Sequence, residues 1–103
     1  HRTVRSGQRY RYAGTIIVIG DVNPGAEIIA DGDIIVWGKL RGVVHSGANG
    51  NDNAIVSALV LAPTQLRIGK FIARALDERR LRNAPAEIAR VRHGTIAIEP
   101  WNG

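Results

Sequence analysis

The stretch that decides the fold is GTIIVIGDVNPGAEIIADGDIIVWG at residues 14–38, where GTIIVIG (14–20) recurs as GDIIVWG (32–38) after eighteen residues. Glycines fall on a six-residue phase here, and each six supplies one short strand and one corner. Three sixes close a triangular coil, so the sequence predicts an all-β fold, a triangular β-solenoid. Antiparallel hairpins in a sandwich or small barrel are the alternative. The third position of each six, expected to face the core, holds Ile16, Val22, Ile28, Ile34, Leu40 and Ser46.

An apolar strip is expected on the outside of two neighbouring coils. Strand side chains alternate between the two sides, so the residues between the inward positions face outward. A monomeric soluble domain seldom exposes such a strip, and we therefore predict a protein–protein surface, most simply a two-fold dimer. The alternative is that a later segment of the chain covers it. The strip consists of Ile17, Ile19, Ile35 and Trp37, with Ile29 adding an outward apolar residue on the neighbouring face.

The repeat weakens after Gly50. Residues 74–85 form a polar, arginine-rich stretch that reads as a short helical segment or an exposed loop, because Pro85 disfavours a long helix. Residues 87–92 and 95–99 alternate around His93-Gly94, which predicts a C-terminal hairpin. Such a hairpin would cap the solenoid, whose unpaired strand edges otherwise invite aggregation.

The composition describes one small basic domain. The chain has 103 residues, 14 Lys and Arg against 9 Asp and Glu, a net charge of +5, and neither cysteine nor methionine. The charge favours an anionic partner without choosing among nucleic acid, membrane surface and acidic protein. Because the chain starts at His1 without a methionine, we expect a domain excised from a longer protein. Within it, residues 1–12 read as a linker and docking strip, and residues 13–103 as a single β-helix domain.

The sequence offers little for catalysis, so we expect no enzyme, no cofactor and no metal site. It has no metalloprotease, nucleophile-elbow or phosphate-loop motif. His45-Ser46 is the one pair worth naming, because hexapeptide-repeat acyltransferases use a histidine on a β-solenoid as general base. A fragment of such an enzyme is therefore one alternative function. The carboxylates sit apart at predicted corners, where Asp is favoured for turns: Asp21, Asp31, Asp33 and Asp52.

The N-terminal segment HRTVRSGQRYRY (1–12) combines arginines with tyrosines and has no acidic residue. Arginine grips carboxylates or phosphates with a planar fork, and tyrosine stacks on bases. The segment therefore suits an acidic protein surface or a nucleic acid, while a solvated linker is the plain alternative. The residues concerned are Arg2, Arg5, Arg9, Arg11, Tyr10 and Tyr12.

The blocks RSGQR (5–9), DVNPGAEIIADGDIIVWGKLRG (21–42), SGANG (46–50) and the closing IAIEPW (96–101) resemble the C-terminal domain of the bacterial cell-division inhibitor MinC. The resemblance covers nearly the whole chain. It implies a short right-handed parallel β-helix that dimerises through one face of the triangle and follows a separate N-terminal domain. Six-residue phasing by itself is typical of left-handed solenoids, so the hand rests on the resemblance.

The resemblance also implies a non-enzymatic adaptor with protein partners. The family binds the ATP-bound ATPase MinD, which recruits it from the cytoplasm to the inner face of the plasma membrane. The family thereby blocks assembly of FtsZ away from midcell. We accordingly expect a homodimer, MinD and FtsZ as partners, no nucleic acid, and membrane contact only through MinD.

Site residues carry over from the family motif. The RSGQ motif implies MinD binding by Arg5, Ser6, Gly7 and Gln8, flanked by Glu27, Asp31 and Gly32. Val43 stands where some relatives carry a basic residue that contacts FtsZ, which leaves Arg41 as the candidate for that contact. The apolar strip is the candidate for the dimer contact.

Overall fold

The computed structural model describes residues 5–74 and 86–101, and every regular element in them is a strand. Of the polar stretch predicted at 74–85, Arg74 ends a strand and the rest lies outside the described residues. The strands in chain order are β1 (Arg9–Tyr12), β2 (Ile16–Ile19), β3 (Glu27–Ala30), β4 (Ile34–Leu40), β5 (Val43–Ser46), β6 (Val56–Leu61), β7 (Gln65–Ile68), β8 (Phe71–Arg74), β9 (Glu87–Arg92) and β10 (Thr95–Pro100).

The strands stack in parallel, which confirms the β-solenoid and excludes the hairpin sandwich. The first sheet has the order β2-β4-β6-β9-β10, and the second has the order β1-β3-β5-β7-β8. Ile16 lies beside Ile34, and Ile34 lies beside Val56, so the eighteen-residue recurrence in the sequence is one complete coil. A short third side is marked by the bridge between Val22 and Leu40.

The core lies inside the coils and includes the inward third positions. Val22, Ile34 and Leu40 are completely buried, and Ile28 is nearly so. Each such side chain contributes roughly 1.5–3 kcal/mol by leaving water. Ile16 is only partly buried because it belongs to the outermost coil, with no further strand beyond β2 in its sheet.

Corner side chains tie each coil to the next one. A carboxylate oxygen of Asp21 accepts a hydrogen bond from the Lys39 backbone N–H (2.8 Å), and one of Asp52 accepts from the Lys70 N–H (3.1 Å). Asp33 accepts from the Ile55 N–H at 2.9 Å. Backbone N–H groups at corners fall outside the strand ladders and need another acceptor. The corner aspartates therefore bond between coils, a role that turn propensity alone did not indicate.

Glycine at one phased corner is required by close approach rather than by backbone angle. Gly38 has no positive φ, but a Cβ atom there would collide with the carbonyl oxygen of Gly20 in the preceding coil. The glycine at this position is therefore needed because two stacked corners approach too closely for a side chain.

The two ends of the solenoid differ. At the C-terminal end, β8 pairs antiparallel with β7, and β9 pairs antiparallel with β6 and with β10. The predicted hairpin is confirmed, and its turn has positive φ at His93 (53°) and Gly94 (79°). At the other end β1 and β2 are the edge strands. Residues 9–12 of the segment set apart as a linker thus supply β1.

Candidate functional site

Residues Arg5–Gln8 form a closed β-turn just before β1, which we call the docking turn. The Gln8 backbone N–H donates to the Arg5 carbonyl at 3.0 Å, and Gly7 has φ 85°, the geometry of a type II turn. The Gln8 side-chain oxygen also accepts from the Arg5 backbone N–H at 2.6 Å. Gln8 therefore holds the turn shut from both its backbone and its side chain.

The docking turn is anchored on the corresponding turn of the next coil, Asn23–Ala26. The Gly7 N–H donates to the Gly25 carbonyl at 3.1 Å, and the Glu27 N–H donates to the Gln8 carbonyl at 3.0 Å. A Cβ atom on Gly25 would collide with the Ser6 hydroxyl. Gly25 is thus needed so that Ser6 can lie against the turn beneath it.

The outer surface of the docking turn is open. All four of its residues are exposed, and a Cβ atom built on Gly7 would meet nothing within 4 Å. Within residues 5–74 and 86–101, no carboxylate pairs with the Arg5 guanidinium. The turn therefore presents a free cation and bare backbone on a conformation that is already ordered, which lowers the entropic cost of binding a partner.

The three residues predicted to flank the motif lie at different places. Glu27 adjoins the docking turn through its backbone and forms an ion pair with Arg9 (3.2 Å). Asp31 follows the other end of β3, where it faces Arg11 at 3.5 Å. Gly32 is held there by its N–H to the Gly14 carbonyl (3.1 Å). The structure therefore brings Glu27 to the turn and places Asp31 and Gly32 a strand's length away.

From residue 5 onward, where the structure describes it, the basic N-terminal strip does not form a single surface, and Arg2 lies outside the described residues. Arg9 and Arg11 lie on the outer face of β1 and are paired with carboxylates. Tyr10 and Tyr12 lie on the opposite side of the strand, in register with the buried Ile28 and Ala30, and are half exposed. A nucleic-acid arm would need tyrosines for base stacking and arginines for phosphate binding on the same surface. In β1 they lie on opposite sides of the strand.

The apolar strip lies on the outer face of the first sheet, as alternation predicted. Ile17 pairs with Ile35 and Ile19 pairs with Trp37, while Ile17, Ile19 and Trp37 are 47%, 57% and 56% exposed. Trp101 meets Trp37 edge-on, with ring centroids 6.2 Å apart. The later chain therefore touches the strip at Trp37 and leaves it about half exposed.

The prediction that Ile29 adds to the exposed apolar surface was wrong. Ile29 is 7% exposed, although it lies on the outer side of the second sheet. In the strand register it is flanked by Arg11 and His45, whose longer side chains stand on either side of it. Ile29 is thus shielded within the chain itself.

His45 and Ser46 do not form a catalytic pair. The His45 Nε2 atom lies 2.9 Å from the Gly69 carbonyl oxygen, whereas Ser46 points to the other side of β5 and is completely buried. The described part of the chain has no cluster of three potential metal ligands. Nor does any helix among those residues have the length and apolar character needed to cross a bilayer.

Arg41 lies on the same edge of the solenoid as the docking turn. It is exposed, its backbone N–H donates to the Val22 carbonyl (2.8 Å), and its Nη2 donates to Asn23 Oδ1 (3.4 Å). Sequence reasoning missed Asn23 and Gly25 as parts of this site. Their spacing could have identified them. Gly7 and Gly25 are eighteen residues apart, which is the length of one coil and also the distance between GTIIVIG and GDIIVWG.

Comparison with known proteins shows similarity to the MinC family over almost the whole chain. A family model described as septum formation inhibitor MinC, C-terminal domain, matches residues 1–101. The chain is 52% identical over 101 residues to the probable septum site-determining protein MinC of Heliobacterium modesticaldum, covering 98% of this chain and 35% of that protein. It is 56% identical over 96 residues to the corresponding protein of Gloeobacter violaceus, covering 93% and 34%. The chain thus spans about a third of the length of these two relatives.

A solved structure shares the fold over almost the whole chain. It is a chain of the MinC:MinD cell division protein complex of Aquifex aeolicus, with a TM-score of 0.91 and 42% sequence identity. The match covers 99% of the present chain and 83% of that chain. At this identity, the agreement extends to the arrangement of the coils as well as to the fold class.

Proposed function

This chain belongs to the MinC septum formation inhibitor family as a C-terminal domain, and from this premise we propose that it is a non-enzymatic adaptor that binds MinD through its docking turn. The proposal assigns contact with MinD to Arg5, Ser6 and Gly7, and the shape of the turn to Gln8. Glu27 supports the turn from beneath. Asp31 and Gly32 remain predicted flanking residues at a more distant corner.

One observation carries this proposal: the docking turn is closed by hydrogen bonds, exposed and cationic, and a solved structure with the same fold is a chain of a complex with MinD. A turn closed by two internal hydrogen bonds and anchored on the coil below has little freedom left to lose on binding. The open space above Gly7 allows the backbone of a partner to approach closely. Arg5 supplies a planar fork for a carboxylate.

We further propose that the adaptor works as a homodimer joined through the apolar strip. Ile17, Ile19, Ile35 and Trp37 present a contiguous apolar area, and a two-fold contact would bury it against its own copy. A dimer carries two docking turns. Two linked sites engage MinD with an effective concentration that a single site lacks, so a weak individual contact suffices for recruitment.

Localisation and inhibition follow from the same scheme as proposals. The domain is cytoplasmic when free and reaches the inner face of the plasma membrane only through ATP-bound MinD. There the inhibitor blocks FtsZ assembly away from midcell.

The experiment is co-sedimentation with MinD on lipid vesicles, with and without ATP. We expect the wild-type chain to sediment in the presence of ATP and the variants Arg5→Ala and Gly7→Asp to remain in the supernatant. Gly50→Asp is the matched control, because Gly50 is also an exposed glycine with positive φ (98°) and open space around its Cα. Both changes place an aspartate at a positive φ (85° and 98°) with no atom near its Cβ, so a difference between them reports on the docking turn.

The fold of each variant is checked by circular dichroism and thermal unfolding. Wild-type co-sedimentation by both docking-turn variants would show that MinD does not use this turn. Equal loss with Gly7→Asp and Gly50→Asp would show an effect of strain or charge, and would also contradict the assignment.

A further inference from the structure

One edge of the solenoid is a stack of turns. The docking turn lies on the Asn23–Ala26 turn, and Arg41 with Gly42 forms the corresponding corner of the next coil. The Arg41 N–H donates to the Val22 carbonyl (2.8 Å), and the Val43 N–H donates to the Ala26 carbonyl (2.9 Å). We call these three corners the docking edge. The docking turn is therefore the top of a longer structure rather than an isolated loop.

Arg5, Asn23 and Arg41 occupy equivalent places along this edge, because they are spaced by eighteen residues, the length of one coil. Asn23 accepts a hydrogen bond from Arg41 Nη2 at 3.4 Å and so holds the guanidinium against the edge. Neighbouring strands lie about 4.8 Å apart, so the backbones of Arg5 and Arg41 are separated by about 10 Å. A single protein partner spans that distance easily.

The charges on the docking edge differ from those on the adjacent sheet. Arg9 and Arg11 are neutralised by Glu27 and Asp31. Across the described ranges 5–74 and 86–101, by contrast, neither Arg5 nor Arg41 forms an ion pair. Two unpaired guanidinium groups thus line one exposed edge, which fits a partner surface that carries two carboxylates at a similar spacing.

We propose that Arg41 is a second MinD-binding residue, which pairs with an acidic group on MinD about 10 Å from the one that Arg5 contacts. This inference rests on the proposed function and extends it from a turn to the docking edge. It also moves Arg41 from the predicted FtsZ contact to the MinD surface. Asn23 is a positioning residue that keeps the Arg41 fork in place.

The test is a titration of the chain with ATP-bound MinD, measured for Arg41→Ala beside Arg5→Ala. Arg67→Ala is the matched control, because Arg67 is also exposed and forms no ion pair within the described chain, but lies on the outer face of the second sheet. We expect Arg41→Ala to raise Kd about tenfold. Arg67→Ala should leave Kd unchanged, and thermal unfolding should show all three variants folded.

Two further measurements separate a direct contact from a structural effect. Arg41→Lys keeps the charge without the planar fork and should bind with intermediate affinity. Arg41→Ala should also weaken the dependence of Kd on salt, because one ion pair with MinD is lost. A salt dependence equal to that of the wild type would overturn the proposed contact.

The remaining outcomes distinguish this inference from the proposed function. Wild-type affinity of Arg41→Ala, together with lost binding of Arg5→Ala, would overturn the role of Arg41 and leave the docking turn in place. Reduced co-pelleting of Arg41→Ala with FtsZ filaments but wild-type MinD affinity would return Arg41 to the FtsZ contact. Wild-type affinity of both variants would contradict the docking edge and the proposed function together.

Discussion

The outer faces of the two sheets carry opposite chemistry on the same scaffold. Both sheets have five strands with a parallel portion, and both point buried aliphatic residues inward, such as Ile34 and Val44. On the outside, the first sheet exposes the apolar strip at its β2–β4 end. The second sheet presents Arg9 and Arg11 paired with Glu27 and Asp31, and it shields its outward Ile29.

The difference shows that the residue types at inner and at outer positions of a solenoid are set by different constraints. Inner positions are constrained by the coil above and the coil below, so most of them are aliphatic, with Ser46 as an exception. Outer positions have no such constraint and can suit different surroundings. A polar, internally paired face tolerates water, whereas an exposed apolar face gains free energy when a partner covers it.

The largest expected effect comes from placing charge on the first face. Ile17→Glu with Ile35→Glu should give a folded monomer in analytical ultracentrifugation, with the dimer dissociation constant raised about a hundredfold or more, because carboxylates would be buried without partners. Ile72→Glu on the second face is the matched control, since Ile72 is 46% exposed and Ile17 is 47% exposed. It should leave the dimer intact. A dimer that persists in the double variant would mean that another face is used.

A smaller effect is expected where the C-terminal chain meets the first face. Trp101→Ala removes the edge-on contact with Trp37, and a double-mutant cycle between the two should give a coupling of about 0.5–1.5 kcal/mol in urea unfolding. The measurement is made in the Ile17→Glu, Ile35→Glu background, so that dimerisation does not contribute.

Tyr10→Ala provides the comparison for the aromatic contact. Tyr10 is as exposed as Trp37 but has no ring contact in the described chain, so its cycle with Trp101→Ala should give no coupling. Equal coupling in both cycles would mean that the ring contact does not contribute to stability.

The smallest effect is expected from an exposed ion pair on each face. On the hairpin of the first sheet, Glu99 lies 2.6 Å from Arg92 and 3.6 Å from Arg90. The hydrogen bond from Arg92, reinforced by the charges of both arginines, lowers the pKa of Glu99 below its usual value, against an opposing contribution from burial. Glu99→Gln should therefore lower the urea midpoint slightly near neutral pH.

Because the pKa of Glu99 is lowered in the folded state, the stability that Glu99 contributes depends on pH. A carboxylate with a lowered pKa in the folded state stabilises the fold above its unfolded pKa, and this contribution is lost as pH falls through the folded pKa. The difference between Glu99→Gln and the wild type should thus vanish in acid. High salt should also reduce the destabilisation caused by Glu99→Gln. It should likewise reduce any destabilisation caused by Glu27→Gln, which removes the ion pair on the second face. A deficit that is unchanged in acid would show that the charge of Glu99 is not its cause.

Particular residues show which structural features the sequence predicted. Alternation alone placed Ile17 and Trp37 on the outside, because strand side chains alternate whatever the surroundings are. The hairpin around His93-Gly94 was also readable, because its turn requires two positive φ angles in sequence. The shielding of Ile29 could not be predicted from the sequence, because it depends on Arg11 and His45, which come from other coils.

Coil length limits how far the six-residue repeat can be followed along the chain. The register runs eighteen residues from Ile16 to Ile34, then twenty-two from Ile34 to Val56, and sixteen from Glu27 to Val43 on the other sheet. A fixed six-residue phase therefore drifts out of register. The docking edge keeps the eighteen-residue spacing, since Arg5, Asn23 and Arg41 are each one coil apart.

By itself the sequence determined that the chain coils, which residues form much of its core, that a hairpin ends it, and that an apolar strip faces outward. These features depend on neighbours in sequence and on a repeat that stacks like residues upon each other. Only the tertiary structure decided which arginines are neutralised, that Ile29 is shielded, and that Asn23 holds the Arg41 side chain on the edge below Arg5. Those features depend on side-chain contacts between residues one or two coils apart, which local sequence patterns do not specify.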